Sequence, residues 1–182
     1  MKVIGIVGSP RKNGCTDTLV KMVLEGAAEN GHETKKYDLN TMKYSGCKAC
    51  MYCKGHDHCS QKDDASVLMK DIQEADAVVF GSPVYFSQFT GQFRSMQDRM
   101  FVFFNSDLSP RLSPGKKTVI VMSQGNPDPA IFEGLEKTLE QTLGMAGFQM
   151  HGKVHMGGGN DPKEIMKRGD LLDKAKDLGR TL

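Results

Sequence analysis

Short runs that read as strands alternate along this chain with stretches whose apolar residues fall at helical spacing. The strand-like runs are Lys2–Val7, Glu33–Tyr37, Ala77–Gly81, Lys117–Ser123 and Gln149–Met156. Between the first two, Leu19, Met22, Val23 and Ala27 share one face of a helix over Thr16–Glu29, which stops at Asn30-Gly31. Ala65, Leu68, Met69 and Ile72 give the i, i+3, i+4, i+7 stripe of a second helix. Phe93, Met96, Met100, Phe103 and Phe104 mark a third, and Phe132, Leu135, Leu139 and Leu143 a fourth. An amphipathic run from Pro162 to Leu178 closes the chain. This alternation predicts an α/β three-layer sandwich: a five-stranded parallel sheet of order 2-1-3-4-5, covered by helices on both faces.

The 182 residues fit one domain, 1–182, with no repeat or linker. The near balance of 24 Lys+Arg and 22 Asp+Glu, with no basic tract, argues against nucleic acid as a partner. No apolar run approaches membrane-spanning length, so the expectation is a cytoplasmic protein with no membrane partner. In that compartment thiols stay reduced, which gives weight to the one economy the pattern breaks. A strand-to-helix connection needs only a few residues, yet about 44–63 form a cysteine-rich loop holding Cys47, Cys50, Cys53 and Cys59.

Those four thiols, separated by two, two and five residues, can converge on one small metal centre. An iron-sulfur cluster takes four cysteines; so does zinc, although zinc sites commonly separate two ligand pairs by a longer segment. A C-x-x-C pair can also serve as an exchanging dithiol, or the thiols can be structural. Lys43, Lys48, Lys54, Lys62, His56 and His58 lie around them, against Asp57, Asp63 and Asp64.

In an open parallel sheet, ligands bind beyond the carboxyl ends of the strands, where strand order reverses. Two loops fall there. The stretch GSPRKNGCTDT, Gly8 to Thr18, brings hydroxyls, glycines and cations to the start of a helix, a ready anion site; read plainly it is a polar turn with Thr16 as N-cap. It has neither the nucleotide-triphosphatase ending nor the dinucleotide glycine spacing. Cys15 is either a reactive thiol at a helix start or packing beneath the loop, and Asp17 is an acid close to the expected anion. The stretch GSPVYFSQFTGQFRSMQDR, Gly81 to Arg99, sets Pro83, Tyr85, Phe86 and Phe89 where flat rings suit a planar conjugated ligand. SQGNPDP after the fourth strand adds backbone amides. His32, His151 and His155 show no partner in the sequence and read as structural.

With these three loops in place, the chain resembles the flavodoxin-like NAD(P)H-dependent FMN reductase superfamily, and the cysteine motif makes it similar to the iron-sulfur flavoproteins within it. The resemblance implies FMN phosphate on Ser9, Arg11, Asn13, Thr16 and Thr18. It implies an isoalloxazine against Pro83, Val84, Tyr85, Phe86 and Ser87, with Ser123, Gln124 and Gly125 at its polar edge. It further implies a 4Fe–4S cluster on Cys47, Cys50, Cys53 and Cys59, a ferredoxin-like electron donor, and a homodimer or homotetramer. The expected activity is that of a flavin-dependent oxidoreductase. It passes electrons through cluster and FMN to oxygen, peroxide, a quinone or a disulfide. The alternatives are an NAD(P)H-dependent FMN or quinone reductase without a cluster, and a non-enzymatic redox sensor or carrier.

Overall fold

A computed structural model describes residues 1–182. The elements run β1 (Lys2–Val7), α1 (Cys15–Glu29), β2 (Glu33–Asp38), a single turn α2 (Tyr52–Gly55), α3 (Asp64–Glu74), β3 (Ala77–Tyr85), β4 (Gln88–Phe89), α4 (Gly91–Arg99), β5 (Lys116–Ser123), α5 (Glu133–Met145), β6 (Phe148–Met156) and α6 (Gly169–Arg180). Five strands form a parallel sheet in the order β2-β1-β3-β5-β6, the order expected from the sequence. The two residues of β4 fold back antiparallel on the end of β3, an addition the periodicity does not reveal.

Strand side chains alternate between the two faces, and each face has its own core. Ile4, Ile6, Val78, Phe80, Ile120 and Met122 pack on one side against α3, α4 and α5 through Leu68, Ile72, Phe93, Met96, Leu139 and Leu143. Val3, Val7, Val79, Val119 and Val121 pack on the other against α1 and α6 through Leu19, Val23 and Ala175. Full burial of such side chains stabilises the fold by roughly 1.5–3 kcal/mol each. The second face closes tightly because α1 and α6 touch backbone to backbone. A Cβ on Gly26 would stand 2.0 Å from the Lys176 carbonyl, and one on Gly179 would stand 2.0 Å from that of Val23.

Two expected helices are shorter than their apolar stripes. α4 ends at Arg99, Met100–Phe103 form a 3-10 turn, and Phe104 is extended. The tighter turn keeps Met100 and Phe103 facing the core, so the stripe continues after the α-helix has stopped. The closing run likewise divides into a 3-10 stretch, Pro162–Lys167, and α6, with Arg168 out of helical conformation between them.

Candidate functional site

A cavity of about 340 Å³ opens at the carboxyl ends of β1, β3 and β5, within the usual range for a cofactor site. Ser9, Arg11 and Thr16 line its base, Pro83, Val84, Tyr85 and Phe86 one wall, and Ser123, Gln124 and Gly125 the other. Buried β1 and β3 deliver the first two groups because their apolar runs end abruptly in polar turns. The hydroxyls of Thr16 and Ser123 meet at 2.7 Å, joining the base to one wall directly. Thr16 sits inside α1 rather than capping it. The cap position is Gly14, which offers no side chain, so the first turn of α1 has no side-chain cap. An uncapped helix start beside a guanidinium and two hydroxyls is a donor set for a phosphate.

Asn13, Thr18 and Ser87 stand outside the cavity lining. Asn13, with φ of 56°, turns its amide to Asp17 at 2.7 Å and accepts from Lys21 at 2.7 Å. Asp17 does not face the cavity. Its buried carboxylate pairs with Lys36 at 2.7 Å and Lys21 at 3.0 Å. Burial favours its neutral form, but Lys36, the Asn13 amide and Lys21 outweigh that and hold it below the usual carboxylate range. Cys15 packs beneath the loop, its Sγ 3.8 Å from the Gly159 carbonyl and 3.7 Å from that of Asp161, and burial pushes its pKa up. Cys15 also contributes to the cavity lining, and its burial disfavours the thiolate form.

The cavity also has a wall the sequence reading missed: Gly159, Asn160 and Pro162, from the segment after β6. Asn160 accepts the Arg11 Nη1–H at its carbonyl (2.8 Å), and its side chain lies where a Cβ on Gly125 would fall, 2.3 Å away. The signal available was topological, since every loop at the carboxyl edge near the switch point can contribute. His155 also has partners. Its Nε2 lies 2.7 Å from Gln124 Oε1, and its Nδ1 lies 3.2 Å from buried Glu136, which Lys153 approaches at 2.5 Å. Gln124 in turn donates to the carbonyls of Asn126 and Asp128, bracing the 123–128 loop. The His155 ring holds Glu136 below the usual carboxylate range, Lys153 assisting, against the opposite pull of burial.

The four clustered cysteines are free thiols and line one small hollow, with Ala49, Met51, Gln61, Arg99, Phe101 and Val102 among its other walls. Ala49 and Met51 have positive φ (50° and 59°), which folds the chain back between successive cysteines. The Ala49 amide donates to Cys47 Sγ at 3.4 Å. Ser60 lies 3.3 Å from Cys50 Sγ, and that contact, with the Tyr52 amide, lowers the Cys50 pKa. No three His, Cys, Asp or Glu side chains stand together as ligands of a single ion. Two cations brace the hollow through carbonyls rather than carboxylates. Lys54 Nζ donates to Phe101 O and Phe104 O, both at 2.7 Å, and Arg111 donates to His56 O at 2.7 Å and Cys53 O at 3.0 Å. Four thiols beside cations committed only to neutral acceptors fit an anionic metal–thiolate centre.

The hollow and the cavity share the carboxyl edge, and α4 joins them. The Tyr44 hydroxyl donates to Gln92 O at 2.5 Å, and Gln92 Nε2 donates to Gly8 O at 2.9 Å. A doubly wound parallel sheet with an open helix start and a cavity at its switch point defines a flavodoxin-like fold. The chain belongs to the NADPH-dependent FMN reductase family, whose model matches residues 1–153. It is 41% identical over 99 residues to an iron-sulfur flavoprotein of Methanocaldococcus jannaschii, covering 54% of this chain and 51% of that protein. It is 27% identical over 157 residues to one of Methanosarcina thermophila, covering 86% and 78%. The matched part is thus about half the length of the first relative. Its fold matches the NAD(P)H:quinone oxidoreductase of Methanothermobacter marburgensis with a TM-score of 0.74 at 18% identity, over 99% of this chain and 98% of that one. No helix is long and apolar enough to cross a membrane.

Proposed function

We propose that the chain is an FMN-dependent redox protein that passes electrons between a 4Fe–4S cluster on Cys47, Cys50, Cys53 and Cys59 and FMN in the cavity, from a ferredoxin-like donor to a small acceptor such as oxygen, peroxide, a quinone or a disulfide. The observation that carries this reading is the four free thiols lining one hollow, on a loop whose first residue, Tyr44, is joined through Gln92 to the β1–α1 loop at Gly8. When bound, the two groups supply one-electron carriage and its exchange with two-electron chemistry.

The protein's own part is to bind, orient and shield. Ser9, Arg11, Thr16 and the open first turn of α1 hold the phosphate; Pro83 to Phe86 give a flat wall for the ring. Gln124, fixed by His155 and two carbonyls, keeps the backbone of Ser123–Gly125 aimed at the ring's polar edge. Lys54 and Arg111 offset the charge of the thiolate centre, and exposed Lys48 presents a cation to an acidic electron carrier. A homodimer or homotetramer belongs to the same reading, with the Phe86 ring fully exposed at the cavity mouth.

Anaerobic purification followed by iron, sulfide and flavin analysis tests the reading. Expected are about four irons and about one FMN per chain. FMN without iron, together with rapid NAD(P)H oxidation, would instead make it a flavin reductase lacking a cluster.

A further inference from the structure

Arg99 closes α4 with its side chain wholly inside the protein, the residue only 2% exposed. Its two terminal nitrogens are fully used. Nη1 donates to Ser45 O at 2.9 Å and Asp63 Oδ2 at 2.8 Å; Nη2 donates to Asp63 Oδ1 and Ser66 Oγ, each at 3.0 Å. Asp63 is itself fixed as the N-cap of α3, accepting from the Ser66 amide. The two-pronged grip sets the plane of the guanidinium, so the third donor cannot swing away. That donor, Nε, is buried and has no partner. Buried donors are rarely left unpaired, and an orphan calls for a physical account. Arg99 and Cys59 both line the cysteine hollow, close enough for the guanidinium and the thiol to interact electrostatically.

We propose that Arg99 is a positioning residue for the four-thiolate centre, its Nε–H donating to the sulfur of Cys59 or to a sulfide beside it once the centre is assembled. The proposal rests on the reading of the hollow as a cluster site. Because Asp63 already balances the guanidinium charge, the contribution is a directed hydrogen bond rather than a net field. Hydrogen bonds to cluster sulfurs favour the electron-rich reduced form and raise the potential. Arg99 thus sets how readily the centre accepts an electron, and couples that centre to the α3–α4 junction.

The test compares full-length wild type with Arg99→Lys, which keeps the charge and removes the Nε–H. Iron content, the cluster midpoint by EPR-monitored titration, and pulsed EPR of the reduced wild type carrying 15N-arginine are measured. Expected are equal iron in both proteins and a reduced-to-oxidised ratio at fixed potential about tenfold lower in the variant, which is about 59 mV for one electron. A 15N coupling to the wild-type cluster is also expected, and this holds even if the variant fails to assemble. Iron present with no 15N coupling and an unchanged midpoint overturns the role of Arg99 alone. Absence of iron from wild type overturns the reading of the hollow and this proposal with it.

Discussion

The cavity at β1, β3 and β5 and the hollow around the four cysteines differ in what holds their walls. The cavity is framed by buried strand ends, and two of its loops are pinned to each other by the Thr16–Ser123 contact. The hollow is framed by loop backbone with left-handed residues at Ala49 and Met51, and side-chain donors of Lys54, Arg99 and Arg111 tie it to the body. Three of those donors' anchor points are carbonyls of the loop itself: Ser45, Cys53 and His56. Regular structure thus fixes the walls of the first site, whereas the second depends on side-chain hydrogen bonds to loop carbonyls.

The largest effect that separates the two is expected from Cys53→Ala, which removes a thiol from the half-buried side of the hollow. Iron should be lost while FMN stays near one per chain, by metal analysis and flavin absorbance; unchanged iron takes Cys53 out of the ligand set. The converse substitution is Arg11→Ala. A hydrogen bond to a charged group contributes about 1.5–3 kcal/mol, so FMN should bind roughly tenfold to a hundredfold more weakly, by fluorescence titration, with iron unaffected. A coupled loss of iron would show that the two sites do not assemble independently.

A smaller effect should appear in acid. Asp17 and Glu136 have folded pKa values below their ordinary 3.8 and 4.5. Their pairings therefore contribute fully above those ordinary values, and the contribution is lost as pH falls from there through the folded values. Urea midpoints should hold down to about pH 5 and then decline, the decline being shallower in Glu136→Gln, from which one of these carboxylates is missing. A steeper decline in that variant would reverse the assignment.

The smallest effect concerns the tip of the β3–β4 hairpin, where Phe86 and Ser87 both have positive φ (47° and 59°). This two-residue turn favours Asn or Gly, and an aromatic residue there is strained. Phe86→Asn should raise thermal stability by an amount worth about 0.5–1 kcal/mol while weakening FMN binding. A stability loss would show that the ring supports the fold rather than the cavity mouth.

The sheet order was legible because β1, β3 and β5 are apolar runs, each followed by a helical stripe. The end of α4 was not, since Met100 and Phe103 stay buried through a 3-10 turn and so extend the stripe. The loops after β1, β3 and β5 could be read as cavity walls from their turn residues and position at the strand ends. Asn160 had only its place at the carboxyl edge to mark it, because Gly157–Asn160 has neither periodicity nor a recognisable motif. The cysteine spacing announced a cluster of thiols, but Arg99 and Arg111 carry no local mark. Their meaning lies in which carbonyl, carboxylate or sulfur each one reaches, and folding alone supplies that.

The placement of Asn160 and Pro162 also sets an order of assembly during synthesis. A nascent chain that has completed β5 already contains both the cysteine loop and the α4 segment beneath it. It still lacks one wall of the cavity, and it lacks the helix on which α1 rests through Gly26 and Gly179. All the walls of the cavity are therefore present only once translation has passed β6 and reached Pro162.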